Sequence, residues 1–247
     1  MKGPRARGPG VILRVAAALV LTAAANARAD GVTPRTPPDG SAPVDRTVVR
    51  FYSPETGGAA QPRFVLERTL AFEARLSAMA QQREGTGGGY QDREVRDALD
   101  HHVAEEMLAS LGNHLITDSP ADKRPSHEEL ARVDRDIEAA LLERLGGRAR
   151  VEEAARAEQI EGAEIDRVLA RQARAAWYLD RTVTPILHPS EEQLRDVFRS
   201  SVHPYRGQRF DDVRAALERW FVIERLRVAE IAFLQGARSR VRSIVTK

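Results

Sequence analysis

The stretch that most constrains this chain runs from Ser126 to Pro189. It opens with SHEELARVDRDIEAALLERLGG, in which Ser126 stands three residues before Glu129, the spacing at which two side chains reciprocally satisfy helix-start amides. Leu130, Val133, Ile137, Leu141 and Leu145 follow at three- and four-residue steps, so they share one helix face, and Gly146-Gly147 supplies a left-handed stop. The second half repeats the pattern with Ile165, Val168, Leu169, Ala176, Leu179 and Val183, flanked by Trp177 and Tyr178, and is closed by Pro185 and Pro189. Two apolar stripes on neighbouring helices need a shared core. The stretch predicts a helical hairpin followed by a short exit segment.

The remaining text is built from the same material. Aromatic residues are 5% and hydrophobic residues 42%, with Ala, Leu, Glu and Arg dominant, which favours helices over a sandwich or barrel. The absence of cysteine excludes disulfides, thiol catalysis and thiolate metal sites.

The first 29 residues differ in kind. Lys2, Arg5, Arg7 and Arg14 precede an apolar run from Val15 to Ala25, and Ala27-Arg28-Ala29 offers small residues where a signal peptidase reads. Cleavage is expected between Ala29 and Asp30. The apolar run is too short to span the roughly 30 Å of bilayer hydrocarbon, so no stable membrane insertion is expected after cleavage. The leader takes five of the 38 basic residues and none of the 36 acidic ones, which leaves the mature chain at a net −3. That balance gives no global electrostatic case for nucleic acid as a partner.

In chain order, residues 30–43 hold four prolines and two glycines and read as a flexible lead-in. Val48, Val49, Phe51 and Tyr52 make a short β run that needs a partner, for which Thr182 to Leu187 is the best candidate. A helix is expected from Pro62 to Arg83, with a seam of Val65, Thr69, Phe72, Leu76 and Met79, ended by the linker Gly85 to Gly89. The next runs from Asp92, as its cap, to Leu111, with Gly112 as its stop and a polar loop up to Pro125. Ser190 and Gln193 cap a further short helix. From Asp211 to Arg242 lies the longest helical text, apolar on more than one face, so it either sits between two layers or leaves apolar surface for a partner.

The chemistry search favours no catalytic site. No two histidines stand four apart beside a carboxylate, so no metal is expected, and no G-x-S-x-G elbow is present. Carboxylates alternate with arginines in runs such as Glu138 to Arg144, which read as solvated helix faces. The apolar residues carry the functional signal. Trp177, Tyr178, Trp220, Phe221 and Phe233 read as core at helical spacing, or as the lining of a cradle between the long last helix and the earlier bundle.

Four segments in this order resemble the N-terminal chaperone domain of the SurA family, periplasmic foldases of the parvulin and trigger-factor kind that escort outer-membrane proteins. They are VDRTVVRFY after the signal peptide, REVRDALDHHVAEEMLASL, the text from His127 to Ile186, and the long helix from Asp211. The resemblance spans most of residues 44–247 and implies one all-α bundle with a short strand pair near the start and a long C-terminal helix. That family usually inserts a parvulin prolyl isomerase domain before the last helix. Here only about 20 residues separate Pro189 from Phe210, where even a small domain needs roughly 50. The resemblance therefore implies the chaperone part alone.

The resulting reading is a signal peptide (1–29), a lead-in (30–43) and one helical domain (44–247) acting as an ATP-independent periplasmic holdase. Its partners are unfolded or partly folded envelope proteins, with Trp177, Trp220, Phe221 and Phe233 as binding residues and Tyr205 as a rim contact. No catalytic residue and no cofactor are expected. Prolyl isomerisation and a dedicated adaptor for one envelope partner are the rival readings, and the apolar patch also suits a homodimer.

Overall fold

The computed structural model describes residues 45–80, 89–200 and 202–245. The expected signal peptide with its expected Ala29/Asp30 cleavage junction, the expected lead-in and all of the glycine tract except Gly89 lie outside them. The architecture is all-α with a small sheet near its start and a long C-terminal helix.

The β-branched and aromatic run Thr47–Tyr52 forms β1, as its composition favours. It is the middle strand of three, with β2 (Arg63–Leu66) and β3 (Arg242–Val245) antiparallel on either side. Val49 faces Val65, and Arg50 faces both Phe64 and Ile244. Alternation sends Val49, Phe51 and Val65 into the core and leaves Phe64 and Ile244 exposed on the outer face. The expected partner, Thr182 to Leu187, is helical instead. Pro185 fits a first helical turn, whereas in a strand its missing N–H would cost a ladder bond.

Seven helices follow among the described residues, apart from short single turns. α1 (Glu67–Ala80) begins later than expected because the residues after Pro62 are taken by β2. α2 (Asp92–Asp118) runs through Gly112 rather than stopping there. A Cβ at Gly112 would lie 3.2 Å from the Arg174 carbonyl oxygen, so this glycine admits a close helix approach. The cap of α2 is Gln91 and not Asp92: its backbone N–H donates to Glu94 Oε2 at 2.9 Å.

α3 (His127–Leu145) begins as expected, with Ser126 Oγ accepting from the Glu129 N–H at 3.1 Å. It ends at Gly146 and Gly147, whose φ angles of 84° and 103° favour glycine. The second arm of the hairpin is two helices, α4 (Arg148–Ala157) and α5 (Gly162–Tyr178). They break at Gln159, φ 56°, where the chain turns to put Ile160 into the core. α5 continues through a π-helical turn (Leu179–Val183) and one last α turn (Thr184–Leu187).

α6 (Glu191–Ser200) carries the reciprocal cap, Ser190 N–H to Gln193 Oε1 at 3.0 Å and Gln193 N–H to Ser190 Oγ at 3.2 Å. α7 (Phe210–Arg240) has 31 residues and is therefore about 46 Å long. It ends two residues before Arg242, which enters β3. The first and last described elements thus share one sheet.

Leu141 and Leu145 of α3 and Val168 and Leu169 of α5 meet Phe72 and Leu76 of α1, with Val151 and Ala155 of α4 beneath. Each such side chain contributes about 1.5–3 kcal/mol on full burial. A second core joins Val133, Ile137, Ala173, Ala176 and Trp177 to Leu226 of α7.

Candidate functional site

The last helix decides where apolar surface remains. Val213 and Leu217 are buried, in the stretch where α6 packs on α7, as is Leu194 of α6. Further along, Val222, Leu226 and Ala237 are buried on the opposite side. Leu226 enters the core with α3 and α5, and Phe233 packs on Leu108, Ala175 and Leu179. At 3.6 residues per turn, the stripe begun by Val213 and Leu217 continues through Trp220, Phe221, Glu224 and Val228. That continuation stays accessible: Val228 is 61% exposed.

This continuation forms the floor of an open groove of about 540 Å³. Leu187 from the end of the α5 extension, Val197 from α6 and Val202 from the loop before α7 form its walls, and Arg225, Ala229 and Ala232 complete it. The lining is apolar apart from Glu224 and Arg225. The Arg225 guanidinium lies 4.4 Å from the Phe221 ring centroid, within range for a cation–π contact, and Glu224 accepts from Arg227 at 3.1 Å.

Of the five residues singled out from the sequence, Trp220 and Phe221 lie side by side in the groove. The other three do not. Trp177 is 4% exposed and sits in the core between α3, α5 and α7, so it is corrected from a binding residue to a packing residue. Phe233 is half-buried against α2 and α5. Tyr205 is half-buried: its ring stacks near His203 and its hydroxyl makes a long 3.4 Å contact to the Ala216 carbonyl. His203 organises that loop, with Nε2–H donating to the Phe198 carbonyl at 2.9 Å and Nδ1 accepting from the Tyr205 N–H at 3.1 Å. The loop's contribution to the groove is Val202.

A second feature escapes sequence reading. Glu73 of α1, His102 and Glu105 of α2, and Arg171 of α5 meet inside the bundle, with Glu73 6%, His102 5% and Glu105 4% exposed. Arg171 donates through Nη2 to Glu73 and through Nε to Glu105 at 3.1 Å, and His102 Nδ1 lies 3.0 Å from Glu73. Burial alone pushes the Glu73 carboxyl up, but Arg171 and His102 outweigh it and hold the group at about 2. Burial pushes Glu105 up to about 8; Arg171 opposes this and the Glu73 charge reinforces it. Burial likewise raises Glu230 of α7 to about 8, with Arg144 opposing. Each member of the cluster reads as a solvated helix residue in the one-dimensional text, and only the packing of three helices brings them together.

Among the described residues no cluster of His, Asp and Glu is arranged to hold a metal ion, and no helix is long and apolar enough to cross a membrane. Comparison with protein-family models, with curated proteins and with solved structures returns no match to this chain.

Proposed function

We propose that this protein is an ATP-independent periplasmic holdase, a chaperone that shields unfolded or partly folded envelope proteins and that is similar to the SurA chaperone domain without its isomerase insert. The observation that carries the reading is the uncovered apolar stripe of α7, flanked by Leu187, Val197 and Val202. Burial of apolar surface is non-directional, so such a groove accepts many unfolded segments without reading their sequence closely. Its open form suits a chain that enters sideways, with no end to thread.

Light scattering tests this directly. A urea-unfolded outer-membrane barrel protein is diluted with and without near-equimolar purified protein, and suppression of aggregation is the expected result. Suppression that survives Trp220→Ala with Phe221→Ala, in a variant still folded by circular dichroism, sinks the groove reading. Absence of any suppression by the folded wild type shifts the weight to an adaptor for one partner.

A further inference from the structure

Two charged side chains line the groove among the described residues, and only one of them is paired with an opposite charge. Glu224 accepts from Arg227, one turn along the same helix. Arg225 is stacked on Phe221 and has no carboxylate within ion-pair reach among the described residues. A guanidinium held over a ring keeps its charge and its planar set of N–H donors while losing side-chain freedom, so a carboxylate brought beside it meets a partly ordered partner. We propose that Arg225 makes the groove prefer extended apolar segments that carry an acidic side chain between their apolar ones. The proposal rests on the holdase reading and adds a charge rule to it.

The geometry sets the length and pattern of the segment. From Trp220 to Ala232 the floor is about 18 Å long at 1.5 Å per residue. An extended chain covers that with about five residues at ~3.3 Å each. Its side chains alternate, so three of the five enter the apolar floor while the intervening ones stay at the level of the rim. Arg225 lies about 7.5 Å along the floor from Trp220, opposite the third or fourth residue of such a segment, and the fourth is one of those at the rim. An acidic residue there gains charge-assisted hydrogen bonds to Arg225; a lysine there meets like charge. Arg225 is exposed, so the expected preference is about twofold to fivefold, in keeping with exposed ion pairs.

The test uses fluorescein-labelled peptides with leucine, phenylalanine and valine at alternate positions and glutamate, glutamine or lysine at the residue after the phenylalanine. Binding is followed by anisotropy and, independently, by the fluorescence of Trp220 against a Trp220→Phe control. The wild type is expected to bind the glutamate peptide about twofold to fivefold more tightly than the glutamine peptide, and the lysine peptide most weakly. The preference shrinks as salt rises from about 0.01 M to about 1 M, where the screening length falls from roughly 30 Å to 3 Å. Arg225→Gln abolishes the difference among the three peptides, whereas Arg219→Gln, an exposed arginine of α7 outside the groove, keeps it. Equal affinity of the wild type for all three peptides overturns the charge rule and leaves the apolar groove standing. Loss of the preference in Arg219→Gln overturns it too, by assigning it to the general surface charge. No binding of any peptide overturns both readings, and so does sedimentation as a dimer that Trp220→Ala with Phe221→Ala dissociates, since the groove then serves a second copy.

Discussion

Glu73 and Glu105 share Arg171 yet hold their protons at opposite ends of the acidic range, and Glu105→Gln turns that difference into a measurement. Glu105 is raised from 4.5 to about 8, chiefly by burial, so the folded protein keeps a proton that the unfolded chain has already released. Its contribution to stability is complete below about pH 4.5 and is lost as pH rises toward about 8. At about 1.4 kcal/mol per pKa unit the loss is on the order of a few kcal/mol. Glu73 works the other way: held at about 2, it contributes fully above about pH 4.5 and loses that contribution only as pH falls toward 2. Between about pH 5 and pH 8, Glu105 is therefore the member of this pair that sets a slope. A glutamine at 105 keeps an oxygen for the Arg171 N–H and has no proton to lose. Urea unfolding followed by far-UV circular dichroism should find Glu105→Gln within about 1 kcal/mol of the wild type near pH 5 and more stable by a few kcal/mol near pH 8. Glu73→Gln leaves the buried Arg171 charge without its main counter-ion and should cost about 3–5 kcal/mol at neutral pH. Parallel pH curves for the wild type and Glu105→Gln, or equal costs for the two glutamine variants, refute the reasoning.

Trp220→Ala with Phe221→Ala should abolish suppression of client aggregation while costing about 2 kcal/mol or less in urea unfolding, because both rings are only half-buried. Trp177→Ala should do the reverse in kind, costing about 3–5 kcal/mol by creating a cavity among Val133, Ile137 and Leu226. Gly146→Ala should destabilise by about 1–2 kcal/mol, since φ is 84° and the new Cβ lies 2.9 Å from the Arg150 side chain. Gly162→Ala, with nothing within 4 Å, should be neutral or stabilising by about 0.5 kcal/mol, and thermal unfolding separates the two.

The helices were legible in the text because the signals that make them are local. Ser126 with Glu129, Ser190 with Gln193, and Gly146-Gly147 act over three or four residues, and the structure keeps each of those boundaries. The apolar spacing of Leu130 to Leu145 likewise reports a face that must be buried, whatever covers it. Trp220 and Phe221 were legible as candidates for the same reason: the long helix is apolar on two sides, and one bundle had to cover one of them.

Which side was covered, and by what, was decided only by tertiary packing. α6 ends at Ser200, so the stripe begun by Val213 and Leu217 runs on past it uncovered, while the other side of α7 is filled by Leu226 and Phe233. The partners of β1 come from the residues just after Pro62 and from the far end of the chain, because strand pairing is a long-range hydrogen-bond choice with no periodic mark of its own. Gly112 reads as a stop and serves as a contact with Arg174, since only the neighbouring helix distinguishes the two. The Glu73, His102, Glu105 and Arg171 cluster follows the same logic. Local spacing determined the elements, and the sum of burial over distant residues decided which of their faces met.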